Sequence, residues 1–361
     1  MINNPRSGHW RVGVILCSVL VSTGCASMAS RVRPPSETGK GSAHYLESVP
    51  PVSQKAYQCG PAALESVFRY WGYPADSKRI ADALFVPGSH GVLDFTLSRY
   101  ARTQGFWTQM HQAPSGTAGI AQLKTFILRK IPPIVMLKTG VLWVPTYHFV
   151  VLKGFDDSEK IFYANIGEPE TYAIDYSRLE SRWKNAGYWT LILCPPERVD
   201  WDLNEADSVD LALYCDRYGK HTLAEKWYRR ALEQDPTNVP VRFNLANIYL
   251  KLVRFEEAKA IYAALLLEKR DSGSVANNLS WIYLEQGRPR EAADVIELAF
   301  KNGAQRSADI LDTLGMAHCR LKEYGQARKY LLEAAQKVPS TDTRSLALVR
   351  QHLAECEIKN F

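Results

Sequence analysis

Gln54-Lys55-Ala56-Tyr57-Gln58-Cys59-Gly60-Pro61-Ala62-Ala63-Leu64 is the stretch on which the first half of the chain turns. Pro61 has a backbone angle suited to a first helical turn and no N–H to leave unpaired there. Gly60 permits an unusual entry turn. Ala62, Ala63, Val67 and Phe68 then supply apolar positions for a helix running to Tyr70. Cys59 therefore stands at a helix start, where the positive end of the dipole favours the thiolate, the reactive form of cysteine. Gln54 lies five residues upstream, and its amide can fold back beside the Cys59 N–H and stabilise an oxyanion.

A cysteine nucleophile needs a base and a group that orients it. His148 opens the apolar run His148-Phe149-Val150-Val151-Leu152, and Asn165 ends the next strand-like run, Lys160 to Ala164. A turn at 154–159 joining two antiparallel strands brings Asn165 near His148. Asp157 and Asp175 are lesser candidates for the orienting role. Residues 132–138 and 188–193 are further strand candidates, short, β-branched or aromatic, and bounded by Gly, Pro, Asn or Asp. Helices first and strands later indicate an α+β domain. Taken singly, Cys59, His148, Gln54 and Asn165 also fit bland roles as a small hydrophobe, a core histidine and turn residues.

In order and spacing these motifs resemble a known family. Gln-x4-Cys-Gly-Pro with its small-residue helix, Ile131-Pro132-Pro133-Ile134-Val135-Met136-Leu137, and His148-Phe149-Val150-Val151-Leu152-x-Gly154-Phe155-Asp156 are similar to the peptidase domain of bacteriocin-processing, double-glycine leader peptidases. Residues 88–93 and 101–106 also look like that family's helix-plus-glycine segment. The resemblance implies a papain-like cysteine peptidase domain over 46–197, with Cys59 as nucleophile, His148 as base and Gln54 as oxyanion donor. Asn165 falls where that family has an aspartate before a proline, so on this reading Asn165→Asp preserves or improves activity. The implied substrate is a peptide or protein, and no cofactor or metal is implied. Family members fused to exporters carry an ATPase, but this chain has no GxxxxGK[ST] loop. Two other readings stay open: a degenerate peptidase fold that binds peptides without cutting, and a thiol acyltransferase.

From about residue 205 the pattern becomes purely helical and repeats. Ala224, Ala258, Ala292 and Ala327 recur at spacings of 34, 34 and 35. Leu211, Leu245, Leu279 and Leu314 precede them at a fixed distance. Pro236 and Pro339 close two of the units. This is the period of tetratricopeptide repeats, so 205–358 reads as an all-α solenoid whose last stretch, 342–358, is a capping helix. Such an array leaves a concave face for a protein partner.

The N-terminus reads as an address. Arg6 and Arg11 precede a short apolar run, and Ser22-Thr23-Gly24-Cys25 resembles a bacterial lipobox. Residues 1–24 then read as a signal peptide with Cys25 as the lipidated residue; an ordinary secretory signal with a chance cysteine and an uncleaved anchor are the other readings. Ala26, in place of Asp, points to an outer-membrane anchor facing the periplasm. Residues 25–45, rich in Ser, Pro, Gly and charge, read as a flexible tether. With 44 basic and 38 acidic residues interspersed, the chain carries no basic patch that implies nucleic acid. The 46% hydrophobic and 23% charged composition excludes wholesale disorder and a polytopic membrane protein. Seven cysteines with no CxxC pair and no ligand-spaced Cys/His set argue against a structural zinc site. Cys194, Cys215, Cys319 and Cys356 fall in strand or helix patterns and read as core thiols, with a disulfide among them left open in an oxidising periplasm.

Overall fold

The computed structural model describes residues 29–32, 43–54, 58–84, 94–139, 146–268 and 272–358. The chain divides between Asp200 and Trp201 into two compact units.

The first unit is built on an antiparallel sheet. Its strands are β1 (Ser30–Arg31), β2 (Ala43–Tyr45), β3 (Trp107–Gln112), β4 (Ile134–Lys138), β5 (Tyr147–Asp156), β6 (Ile161–Asn165), β7 (Tyr172–Asp175) and β8 (Trp189–Cys194). Their order is β1-β7-β6-β5-β4-β8-β3, with β2 pairing to the far end of β5. Five helices accompany them: α1 (Cys59–Tyr70), α2 (Ser77–Leu84), α3 (Asp94–Thr103), α4 (Gly116–Leu128) and α5 (Tyr176–Lys184).

Strand β5 is buried from His148 to Phe155, which is why its sequence is a continuous apolar run rather than an alternating one. Successive side chains still point to opposite faces. Phe149 and Val151 join a core with Cys59, Ala63, Leu64 and Val67 of α1, together with Trp189 and Leu191 of β8. Val150 and Leu152 join a second core with Leu123 and Ile127 of α4 and Leu179 and Trp183 of α5. The result is three layers, helix on sheet on helix, with a core on each side of β5.

Two sequence expectations need correction here. The segment read as a tether over 25–45 contributes two strands. Ser30 and Arg31 pair with Ala173 and Tyr172, Val32 N donates to Thr171 O at 3.1 Å, and Ala29 is buried in the second core. Ala43 to Tyr45 pair with Asp156 to Gly154. Beyond the backbone ladder these additions are held by scattered contacts, the Arg31–Glu170 ion pair and the rings of His44 and Tyr45 against Phe155 and Tyr163, which form no hydrophobic pattern in the sequence. Helices and strands are also interleaved: α4 lies between β3 and β4.

The second unit holds helices α6 (Glu205–Arg217), α7 (His221–Gln234), α8 (Val239–Lys251), α9 (Phe255–Leu267), α10 (Ser272–Glu285), α11 (Pro289–Lys301), α12 (Ala308–Arg320), α13 (Tyr324–Lys337) and α14 (Thr343–Ile358). The recurrent small residues Ala224, Ala258, Ala292 and Ala327 are wholly buried. Leu211, Leu245, Leu279 and Leu314 are buried too. A methyl side chain at each repeat lets neighbouring helices approach closely, and the 34-residue period follows from that contact.

Cys194 and Cys215 are buried, as a core reading of the cysteines requires. Cys319 and Cys356 are not core thiols but a disulfide between α12 and the capping helix α14, their Cα atoms 5.7 Å apart. The bond forms because α14 folds back onto α12, a contact invisible in a linear pattern. His352 of α14 adds an ion pair to Asp312 of α12 at 2.9 Å, which holds the imidazole above its ordinary range. Closing a loop of 37 residues by a disulfide contributes about 4 kcal/mol through the unfolded state. Cys356→Ser should therefore lower the stability of the repeat unit by about 2–4 kcal/mol in urea titrations. Parent and variant should unfold alike once a reductant is present; a difference that survives reduction would assign the effect to packing instead.

Candidate active site

Helix α1 opens with Cys59, its first helical residue, after Gln58, whose carbonyl accepts from Ala62 N at 2.9 Å. Every residue from Cys59 to Phe68 is buried. The start of the helix lies close to β5: a methyl group built on Gly60 would stand 3.2 Å from Leu97 and 3.4 Å from Phe149. Glycine at this position is what allows the cysteine-bearing end to reach the strand. Cys59, Ala62, Ala63 and Ser66 form one stripe of the helix and line a small cavity, closed on its other sides by Val52, Phe149, Val151, Asn165 and Gly167.

His148 immediately precedes Phe149 on β5 and is 2% exposed. Its Nε2 lies 2.9 Å from the carbonyl oxygen of Ile166. A carbonyl can only accept, so Nε2 carries the proton. In the neutral ring the lone pair then belongs to Nδ1. The orienting group of the imidazole is a backbone carbonyl.

Asn165 does not take that part. Its Nδ2 donates to Pro50 O at 2.9 Å and to Ser66 Oγ at 3.2 Å, and its Oδ1 is buried with no hydrogen-bond partner among the described residues. The register explains this. β5 and β6 pair Val151 with Asn165, and the ladder shifts between Leu152 and Gly154. Asn165 thus shares the face of Val151, towards α1, and the next residue, Ile166, presents its carbonyl to His148. Asp157 and Asp175 are also elsewhere. Asp157 sits at the β5–β6 turn bonded to Lys124 and to Tyr176 Oη, and Asp175 precedes α5 beside Arg178.

Gln54 approaches the same end of the sheet. Its N–H donates to Gly167 O at 2.9 Å, and its side chain lies against the Gly167 backbone. Cys59 and Asn165 line one cavity, Gln54 packs on Gly167 of its wall, and His148 bonds Ile166, the residue after Asn165. Cys25 lies outside the described residues. The parts that sequence reasoning missed are Ile166, Ser66 and Gly167. Ile166 acts through its backbone and leaves no side-chain signal. Ser66 was legible as the polar residue on the small-residue stripe of α1, two turns beyond Cys59.

Cys194 offers a contrast within the same unit. Burial pushes its thiol up, and its Sγ lies 3.2 Å from Pro195 O at the end of β8, ahead of a single 3-10 turn rather than of an α-helix. That environment makes a cysteine inert.

Residues 46–190 match the family model described as "Peptidase_C39 like family", and 217–282 and 277–341 match two tetratricopeptide repeat families. No curated protein matches the chain. Among solved structures, a C39-like peptidase from Bacillus anthracis is 14% identical over 42% of this chain and 97% of its own, with a TM-score of 0.35. The peptidase domain of Streptococcus ComA, a bifunctional ABC transporter, is 21% identical over 41% of this chain and 98% of its own, with a TM-score of 0.34. A tetratricopeptide repeat protein of Thermus thermophilus is 20% identical over 43% of this chain and 82% of its own, with a TM-score of 0.36. A Peptidase_C39-like domain is thus followed by tetratricopeptide repeats, an α+β unit before an all-α one.

The hydrogen bonds of Asn165 reverse the expectation for its aspartate variant. A carboxylate has no proton to donate to Pro50 O and would stand buried against that carbonyl. Asn165→Asp should lose about 2–3 kcal/mol of stability at neutral pH. The buried acid has its folded pKa raised above the unfolded value of ~3.9, so stability should return as pH falls towards ~4. Thermal melts of the variant across pH 4–8, with turnover measured alongside, check this; a variant as stable as the parent and more active would restore the aspartate reading.

Proposed function

We propose that the first unit is a cysteine peptidase acting on peptide or protein substrates, and that the repeats recruit a substrate or a protein partner. The observation that carries the reading is the pairing of two features at one end of the sheet. Cys59 is the first residue of a helix buried over Cys59–Phe68, and the His148 ring is held with Nε2 protonated on Ile166 O. The thiolate attacks a substrate carbonyl carbon. The Cys59 N–H and the Gln54 amide stabilise the resulting oxyanion; His148, having taken the Cys59 proton, gives it to the amine as the C–N bond breaks, and water deprotonated by His148 then cleaves the thioester to the acid and restores the thiol.

Export and anchoring belong to the same proposal. Lipidation at Cys25 would hold the protein on the periplasmic side of the outer membrane. The disulfide between Cys319 and Cys356 supports an oxidising compartment. No helix of the described residues is long and apolar enough to cross a membrane.

A second reading, a peptide-binding domain that does not cut, draws on the engagement of Asn165 with Pro50 and Ser66. A thiol acyltransferase would share the covalent step and differ in its acceptor. The deciding experiment uses the chain from residue 26, which keeps β1, incubated with peptide libraries beside its Cys59→Ala form, with product masses read. Cys59-dependent products one water heavier than the uncleaved peptide are expected in sum, and products extended by an amine would mean transfer. Iodoacetamide should label Cys59 well below the ~8.5 of a free thiol, and His148→Ala should raise the pH it needs. No products, together with a Cys59 that titrates as a free thiol in both proteins, would establish the binding reading.

A further inference from the structure

Gln54 sits on a loop that has no regular structure of its own, yet an oxyanion donor must be held to within a fraction of an ångström. The loop is fixed at two points. Pro50 O accepts from Ser66 Oγ at 2.6 Å and from Asn165 Nδ2 at 2.9 Å, and Gln54 N donates to Gly167 O at 2.9 Å. Ser66 is 1% exposed and Asn165 4% exposed, so the two donors are buried and the bonds to the half-buried Pro50 are partly shielded from water. Pro50 and Pro51 stiffen the backbone between the two points. Val52 is buried beneath them.

At the second point the fit leaves no room. Gly167 has a φ of +89°, a conformation L side chains rarely adopt. A methyl group there would stand 2.2 Å from Gln54 Cδ and 2.6 Å from its Oε1. Gln54 can occupy its place only because residue 167 lacks a side chain. The side chain that packs on the glycine is the same one that the peptidase reading assigns to the oxyanion.

We propose that Gly167, Ser66 and Asn165 are the positioning residues of Gln54. Gly167 admits the glutamine side chain, and the Ser66–Asn165 pair clamps Pro50, so that β6 and α1 together hold the loop that carries the donor. Asn165 thereby serves the site through the Gln54 loop, while Ile166 O serves His148. The assignment rests on the peptidase reading for its catalytic consequence and on geometry alone for the placement of Gln54.

A double-mutant cycle on the chain from residue 26 tests it. Gly167→Ala should cut kcat by ~10²–10³, the range for loss of an oxyanion donor, with KM and the iodoacetamide profile of Cys59 nearly unchanged. On a Gln54→Ala background the same substitution should cost nothing further, because the group it displaces is already gone. Ser66→Ala should give a smaller loss, which Ser66→Thr, retaining the hydroxyl, should partly restore. A second measurement is independent of turnover. The side-chain amide resonance of Gln54 in a 15N spectrum, identified by its absence in Gln54→Ala, should move in Gly167→Ala and Ser66→Ala. If the Gly167 and Gln54 losses multiply, or Gly167→Ala keeps the parent kcat, the positioning role is wrong. If no protein in the series turns over peptide but the amide resonance moves, the peptidase reading falls and the placement of Gln54 stands. An unmoved resonance overturns the proposal in either case.

Discussion

Everything in the first unit is arranged around a helix buried along ten consecutive residues, Cys59 to Phe68. A helix buried all round has no wet face on which to leave polar groups, so each one must find a partner inside. Glu65 does so twice, accepting from Ser77 N at 2.5 Å and pairing with Arg69. The first bond satisfies the start of α2, so a buried carboxylate doubles as a cap for the next helix. Ser66 does so by donating to Pro50. Because these partners come from different segments, burial of α1 fixes the course of the chain on both sides of it. The position of Cys59 is a consequence of the core and not of a loop.

The same constraint divides labour around the imidazole. His148 is almost wholly enclosed, and an enclosed ring nitrogen needs a partner of known polarity. The carbonyl of Ile166 supplies one and, by accepting only, decides which nitrogen is protonated. A backbone acceptor orients the ring without bringing a charge. Asn165, relieved of contact with the ring, spends its donor on the loop that carries Gln54. The residue expected beside the imidazole thus belongs to the contacts that hold the Gln54 loop.

The repeat unit obeys a different economy. Each helix contacts its sequence neighbours, and buried alanines at matched positions carry the packing from one repeat to the next. An array of this kind is weakest at its end, where the last repeat has no successor. Here the end is closed by α14, tied to α12 by the Cys319–Cys356 disulfide and by the His352–Asp312 pair. The first unit relies on burial to stay ordered, and the second adds covalent closure at the place where stacking runs out.

The periodic features were determined by the sequence alone. A 34-residue recurrence of alanine, a run of apolar residues in β5, and a cysteine before Gly60-Pro61 are local patterns, and local patterns follow from helix and strand geometry without knowledge of distant contacts. The elements they marked, α1, β4, β5, β6, β8 and the repeats, are present within a residue or a few of where they were read. What the tertiary structure decided were matters of register and return. The shift between Leu152 and Gly154 turns Asn165 towards α1 and Ile166 towards His148, a choice no side-chain pattern encodes because one of the two partners is backbone. The pairing of Ser30–Arg31 with β7 and the meeting of Cys319 with Cys356 depend on segments far apart in the chain folding back on each other. A sequence shows which residues are able to bond; only the register of the folded strands and helices selects which of them do.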